Sequence, residues 1–164
     1  MTQATLHQGV LTLGPLRLRA ALGRGGLRAD KREGDGATPL GLLPLRQVLY
    51  RASRLARPRA AVLVQPLAPQ DGWCDDPADP AYNTAIRLPH PARHEALWRD
   101  DSVYNVIGVL GWNDRPVVRG RGSAIFLHLA RPDWTPTEGC IALDRTGLLA
   151  VLAAGLTQIL VLAD

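Results

Sequence analysis

Lysine is nearly missing from this chain. One lysine, Lys31, stands beside eighteen arginines, and 19 basic against 15 acidic residues leave a net charge of only +4. The basic residues are interspersed with acids and form neither a run nor a helical stripe, so the electrostatic footprint of a nucleic-acid binder is missing as well. Such a surface is compatible with an anionic polymer, although the abundance of Arg, Ala, Gly, Pro and Leu reads more simply as GC-rich coding. Cysteine is scarce: Cys74 and Cys140 are the only two, and no C-x-x-C is present. Two thiols are too few to staple a small secreted scaffold and, without histidine, too few for a structural zinc site. No stretch approaches the roughly 20 apolar residues that span a bilayer. The segment Met1 to Val10 lacks the charged start and the apolar run of about 7 to 15 residues of an export signal. As written, the chain is expected to be soluble and cytoplasmic, or periplasmic if the true start includes a lost leader. Internal repeats, low-complexity segments and linkers are absent too, and 164 residues suffice for one domain with its own core.

What is present centres on Gly122 to Ile141. From Ser123 to Ala130 side chains alternate, with Ala124, Phe126 and His128 on one face and Ile125, Leu127 and Leu129 on the other, which predicts a strand apolar on both sides. His128 therefore falls where burial is expected. The turn-rich Arg131-Pro-Asp-Trp-Thr-Pro136 brings the chain back to Thr137-Glu138-Gly139-Cys140, followed by Ile141 and Leu143. That return can set a thiol beside an imidazole. A free thiol, with a pKa of about 8.5, is a poor nucleophile at neutral pH, and a neighbouring imidazolium favours the thiolate that attacks a carbonyl. Gly139 lets the backbone bend tightly enough for the Gly139 and Cys140 amides to face a developing oxyanion. Residue types alone leave a second reading open, a core histidine near a small buried hydrophobe.

The remainder of the chain supplies strands and loops around this stretch. Gly9 to Leu13 and Leu16 to Leu22 bracket Gly14-Pro15 as a hairpin, and the polar, glycine-rich loop Leu27 to Gly41 either rims the site, with Lys31 meeting a substrate carboxylate, or is a solvated connection. Strands are expected at Leu43 to Tyr50 and Ala61 to Leu67. Ala68 to Asn83, rich in proline and acids, is expected to be irregular, with Trp73 and Tyr82 as a cleft wall and Cys74 as a bystander or a redox partner of Cys140. His90, His94 and Glu95 suggest a metal check, but the order is wrong for H-E-x-x-H and Pro91 opposes helix at His90, so no metal is expected. A short helix from Pro91 to Arg99 instead sets His94, Glu95 and Trp98 near the cleft. Ser102 to Trp112 reads as a central strand, and Arg119, Arg121 and Arg131 flank the site as candidate carboxylate holders. Asp144 or Thr146 caps a helix Gly147 to Ala154 that Gly155 stops, and Thr157 to Leu162 is a last strand.

His128 followed by Thr137-Glu138-Gly139-Cys140-Ile141, with Lys31-Arg-Glu-Gly-Asp-Gly-Ala-Thr-Pro-Leu-Gly41 far upstream, resembles the YkuD-type L,D-transpeptidase catalytic domain. The family carries a strand His, a Ser/Thr-x-Gly-Cys turn and an early Gly-rich loop ending in Thr-Pro-x-Gly; the resemblance spans about residues 9 to 162. It implies a mainly β, mixed sandwich-like single domain over 1–164 with one or two short helices and no cofactor. It also implies that Cys140 is the nucleophile, that His128 is the base that later protonates the leaving amine, that Gly139 belongs to the oxyanion turn, and that Thr137 braces it. The implied partner is a peptidoglycan stem peptide or muropeptide, touched by candidates Thr137, Lys31, Trp73, Tyr82, His94 and Arg121, and carbapenems are implied inhibitors. Three departures stand out: Glu138 where many members have His, Ala142 where they have Asn or Arg, and a spacer of only eleven residues between His128 and Cys140. These leave the His-Cys pair intact and bear on the substrate clamp and the acceptor. An amine acceptor makes a transpeptidase, water an L,D-carboxypeptidase, and loss of chemistry a peptide-binding module on the same fold.

Overall fold

The computed structural model describes all residues from Met1 to Asp164. Its spine is β6 (Gly41–Tyr50), flanked antiparallel by β11 (Val106–Leu110) on one edge and β14 (Gln158–Val161) on the other. Outward from β11 come β12 (Phe126–Leu129) and then β13 (Ile141–Leu143); outward from β14 come β1 (Gln3–His7), β2 (Val10–Leu13) and β3 (Leu16–Arg19). Just past β3, Ala21 exchanges two backbone hydrogen bonds of 2.9 Å with Ala142 of β13. The outermost strands therefore meet, and the sheet curls into a barrel-like sandwich. Bridging of the edges also removes the unpaired N–H and C=O rows that an open sheet would expose.

Alternation along the strands divides the core in two. Leu127, Leu129, Ile141 and Leu143 face inward to the helix α1 (Arg145–Ala153), which buries Leu148, Val151 and Leu152 against them. Asp144 caps α1 by accepting the Gly147 N–H at 3.2 Å, and Gly155, at φ +91°, follows its end, as the sequence predicts. The opposite face of β12 carries Phe126 into a smaller cluster with Trp73, Leu97, Tyr104 and Ile107. Trp73 and Tyr104 both meet the Phe126 ring edge-on, at centroid distances of 5.3 and 5.8 Å.

Two smaller pieces complete the chain. The strands β4 (Leu27–Arg28) and β5 (Thr38–Pro39) pair in parallel across the glycine-rich loop, and β7 (Val64–Pro66) adds to β6. A three-stranded flap is formed by β8 (Asp71–Cys74), β9 (Ala85–Arg87) and β10 (His94–Ala96). This flap corrects two expectations. Asp71–Cys74 is a strand inside the stretch expected to be irregular, and the expected helix Pro91 to Arg99 is not formed. Its middle is the extended β10, whose residues pair with β8 from His94↔Cys74 to Ala96↔Gly72. The edge of β8 satisfies the backbone of this segment and holds it extended. Several strands are also shorter than expected: β3 ends at Arg19, β7 spans only Val64–Pro66, β11 begins at Val106, and the stretch before Phe126 is irregular, with Ala124 at φ +53°.

Candidate active site

Register explains why a thiol and an imidazole share one face. The parallel pair β12 and β13 aligns Leu127 with Ile141 and His128 with Ala142. Cys140, one step before Ile141, lies beside Phe126. Because side chains alternate along a strand and paired residues share a face, Phe126, His128, Cys140 and Ala142 project on the side opposite the helix. His128 and Cys140 are each only 7% exposed, yet both open onto one cleft of about 600 Å³.

The sulfur is held by backbone. It accepts the Phe126 N–H at 3.3 Å and donates to the Ala124 carbonyl at 3.3 Å, a carbonyl aimed by the left-handed turn at Ala124. His128 is oriented by its own neighbour: Nδ1 lies 3.0 Å from the Leu129 carbonyl. A carbonyl only accepts, so Nδ1 carries the proton and Nε2 keeps a lone pair for the cleft. The Tyr104 ring packs edge-on against the imidazole at 5.4 Å, and its hydroxyl donates to Glu95 Oε1 at 2.8 Å. Burial disfavours both charged forms, pushing the His128 imidazole down to about 4 and the Cys140 thiol up to about 12. A standing thiolate–imidazolium pair, the activation expected from the sequence, is therefore not what this pocket favours. At neutral pH the two groups rest as thiol and neutral imidazole, the thiol proton lying on the Ala124 carbonyl.

The turn before Cys140 is braced by Thr137, whose Oγ1 accepts the Gly139 N–H at 3.1 Å and donates to the Cys140 carbonyl at 2.7 Å. The Gly139 amide is thus occupied, which corrects the expectation that it faces an oxyanion. The Cys140 N–H makes no hydrogen bond within the chain. Gly139 is needed for another reason. It adopts φ +132°, and a Cβ there would stand 2.7 Å from the Ala37 carbonyl of the glycine-rich loop. Replacing Thr137 by Val removes two hydrogen bonds of this turn. An expected loss of about 1 to 3 kcal/mol follows, measured as a lower denaturant midpoint with an unchanged slope.

Lys31 lines the cleft but is not a free cation. Only 3% exposed, its ammonium sits 2.7 Å from Asp35 Oδ1, and the same oxygen accepts the Ala37 N–H at 2.9 Å. The lysine thus pins the loop that covers Gly139. Arg24 and Glu138 add an exposed ion pair of 2.8 Å on the rim. The other walls are charged: Glu33, Asp75 and Glu95 among the acids, Arg93, Arg99 and Arg131 among the bases. Of these, Glu95 and Arg131 lie in stretches whose proximity the sequence did suggest. Glu95 is buried enough that its carboxyl is held above the usual carboxylate range.

Trp73, Tyr82, His94, Trp98, Arg119 and Arg121, all named from the sequence, lie outside the cleft lining; the Arg51 guanidinium covers the Trp98 ring and Arg119 is exposed. Trp73 is packed into the core against Phe126, with its Nε1 donating to Asn83 Oδ1 at 3.0 Å. Tyr82 is buried behind the wall, where its hydroxyl donates to Glu33 Oε1 at 2.6 Å and accepts the Gly122 N–H at 3.0 Å. It positions Glu33 from behind. His94 points to the other side of β10 from Glu95, with Nδ1 2.8 Å from the Ala92 carbonyl. Arg121 is exposed on the loop before β12, away from the cleft lining. Cys74 and Cys140 are both free thiols.

No helix is long and apolar enough to cross a membrane. No curated protein matches the chain at a significant level of similarity. The model of the YkuD family, described as the L,D-transpeptidase catalytic domain, matches residues 7–156. That match covers the strands, the turn and the glycine-rich loop that build the cleft, and the chain belongs to the YkuD family of L,D-transpeptidase catalytic domains.

Proposed function

We propose that the chain is a cysteine acyltransferase acting on the stem peptides of peptidoglycan, an L,D-transpeptidase in which Cys140 is the nucleophile and His128 its base. The observation that carries this reading is the shared face of His128 and Cys140 at the floor of one open cleft. In the first half-reaction Nε2 of His128 takes the thiol proton as Sγ attacks the carbonyl joining an L-centre to the terminal D-residue. The oxyanion that forms is met by the Cys140 N–H. The C–N bond then breaks, the leaving amine receives the proton from His128, and an acyl thioester remains on Cys140. In the second half-reaction an acceptor amine gives up its proton to His128 and displaces the thiol.

Water in place of the amine would make the same residues an L,D-carboxypeptidase, and a product analysis separates the two. Purified protein incubated with a tetrapeptide stem is expected to yield cross-linked dimer. Tripeptide with free D-amino acid, and no dimer, would move the assignment to the hydrolase. Neither product, in protein shown to be folded, would overturn the enzyme and leave a peptide-binding module.

A further inference from the structure

The flap beside the cleft holds a second cluster of reactive side chains that the proposed reaction does not use. Cys74 at the end of β8, Asp79 in the following turn and His90 before β10 bring a sulfur, a carboxylate oxygen and a ring nitrogen within 4.8 Å of one another. These are the donor types of a zinc site, contributed by three separate points of the chain. The metal check on the sequence paired His90 with His94 and Glu95, but those two are committed elsewhere, to the Ala92 carbonyl and to Tyr104.

The cluster carries signs of an incomplete set of bonds. His90 Nε2 is sealed from solvent and has no hydrogen-bond partner, although Asp79 Oδ2 stands 3.3 Å away. A buried ring nitrogen left in that condition is costly unless something binds it. Two ligands with bonds of about 2.1 Å to one tetrahedral ion stand about 3.4 Å apart, close to that nitrogen–oxygen separation. Asp79 is held in place by its other oxygen, Oδ1, which accepts the Ala81 N–H at 2.7 Å. Cys74 is fully buried, and its sulfur makes a long contact of 3.7 Å to the Arg93 carbonyl.

We propose that Cys74, Asp79 and His90 form a binding site for a divalent ion of the zinc class, with water in the fourth position. One thiolate and one imidazole among the donors favour zinc over magnesium or calcium, which take oxygen ligands. Binding displaces the thiol proton to solvent, so affinity rises with pH. The ion would tie β8 to the segments on either side of β9. Asp75, Arg93 and Glu95, which line the cleft, hang from the same segments. The site would thus stiffen one cleft wall, and it stands or falls independently of the reaction proposed for Cys140.

Cobalt(II), a spectroscopic stand-in for zinc, tests this on the full chain. Titration is expected to reach one ion per chain with thiolate-to-metal charge-transfer absorption, to reverse on adding zinc, and to persist in Cys140→Ala. Cys74→Ser should lose the absorption, and Asp79→Asn, which keeps the shape of the site should Cys74→Ser fail to fold, should bind at least tenfold more weakly. Wild-type protein without the absorption, absorption that disappears with Cys140 instead of Cys74, or Asp79→Asn binding with unchanged affinity would each overturn the site.

Discussion

Wild-type protein exposed to a carbapenem is expected to gain the mass of one inhibitor molecule, and Cys140→Ala to gain nothing. The lactam carbonyl offers the same electrophile as the stem peptide, and its ring opens without losing a fragment, so the acyl thioester persists long enough to weigh. Cys74 serves as the internal control, because it is the only other thiol and is fully buried. Peptide turnover by Cys140→Ala should fall to background. An adduct that survives in Cys140→Ala, or no adduct on the folded wild type, would remove Cys140 from the role of nucleophile. The same substitution has a stability signature that separates chemistry from collapse. The folded thiol titrates at about 12, whereas an unfolded one titrates near 9. Above pH 9 the unfolded chain sheds a proton that the folded chain keeps, and wild-type stability falls as pH rises toward 12. Cys140→Ala lacks this alkaline loss. The sulfur occupies little space, so the variant is expected to remain folded and to hold its stability at high pH better than the wild type.

The parts of this site that were legible in the sequence are those fixed by alternation and by chain return. His128 sits in a strand apolar on both faces, and Thr137-Glu138-Gly139-Cys140 follows a turn-rich segment, so a parallel return of β13 onto β12 places the thiol near the imidazole. The helix was legible through its cap, Asp144, and its stop, Gly155. Other elements gave no local signal. In β1, alternation is present in Gln3–His7, but its parallel partner, beginning at Gln158, comes from the far end of the chain. Pairing over such a separation leaves no trace in a short window. The flap strands are only three or four residues long, with prolines in the segments between them, so hydrogen bonding to one another, not propensity, decides them. The aromatics of that region were read as cleft wall, yet the ring edges of Trp73 and Phe126 pack together in the core. Aromatic density signalled burial. Apart from Glu95 on β10, the charged cleft lining comes from irregular segments, where no periodicity marks which side chain faces inward.

Exchange of His128 for Gln is the sharper test of how the thiol is activated. Gln keeps much of the volume and a donor for the Leu129 carbonyl but has no basic nitrogen, and a loss of general-base catalysis is expected to lower turnover by about 10² to 10⁴-fold. The pH profile distinguishes a neutral pair from a pre-formed ion pair. With His128 at about 4 and Cys140 at about 12, kcat/KM for the wild type should be level across the neutral range, with its acid limb near pH 4. A thiolate–imidazolium pair would instead lose activity on the alkaline side as the imidazolium gave up its proton near neutrality. Stability reports the same titration. Above the ordinary imidazole value of 6.5 the ring is neutral in folded and unfolded chains alike and contributes nothing to the pH dependence. As pH falls from 6.5 through 4 the unfolded chain takes up a proton that the buried ring refuses, and about 3 kcal/mol of stability is lost. His128→Gln has no such group. Its urea midpoint should therefore fall less between pH 6.5 and pH 4 than that of the wild type, even if it starts lower. An equal acid loss in both proteins would show that His128 is charged as readily in the folded chain as in the unfolded one, and the neutral-pair mechanism would be lost with it.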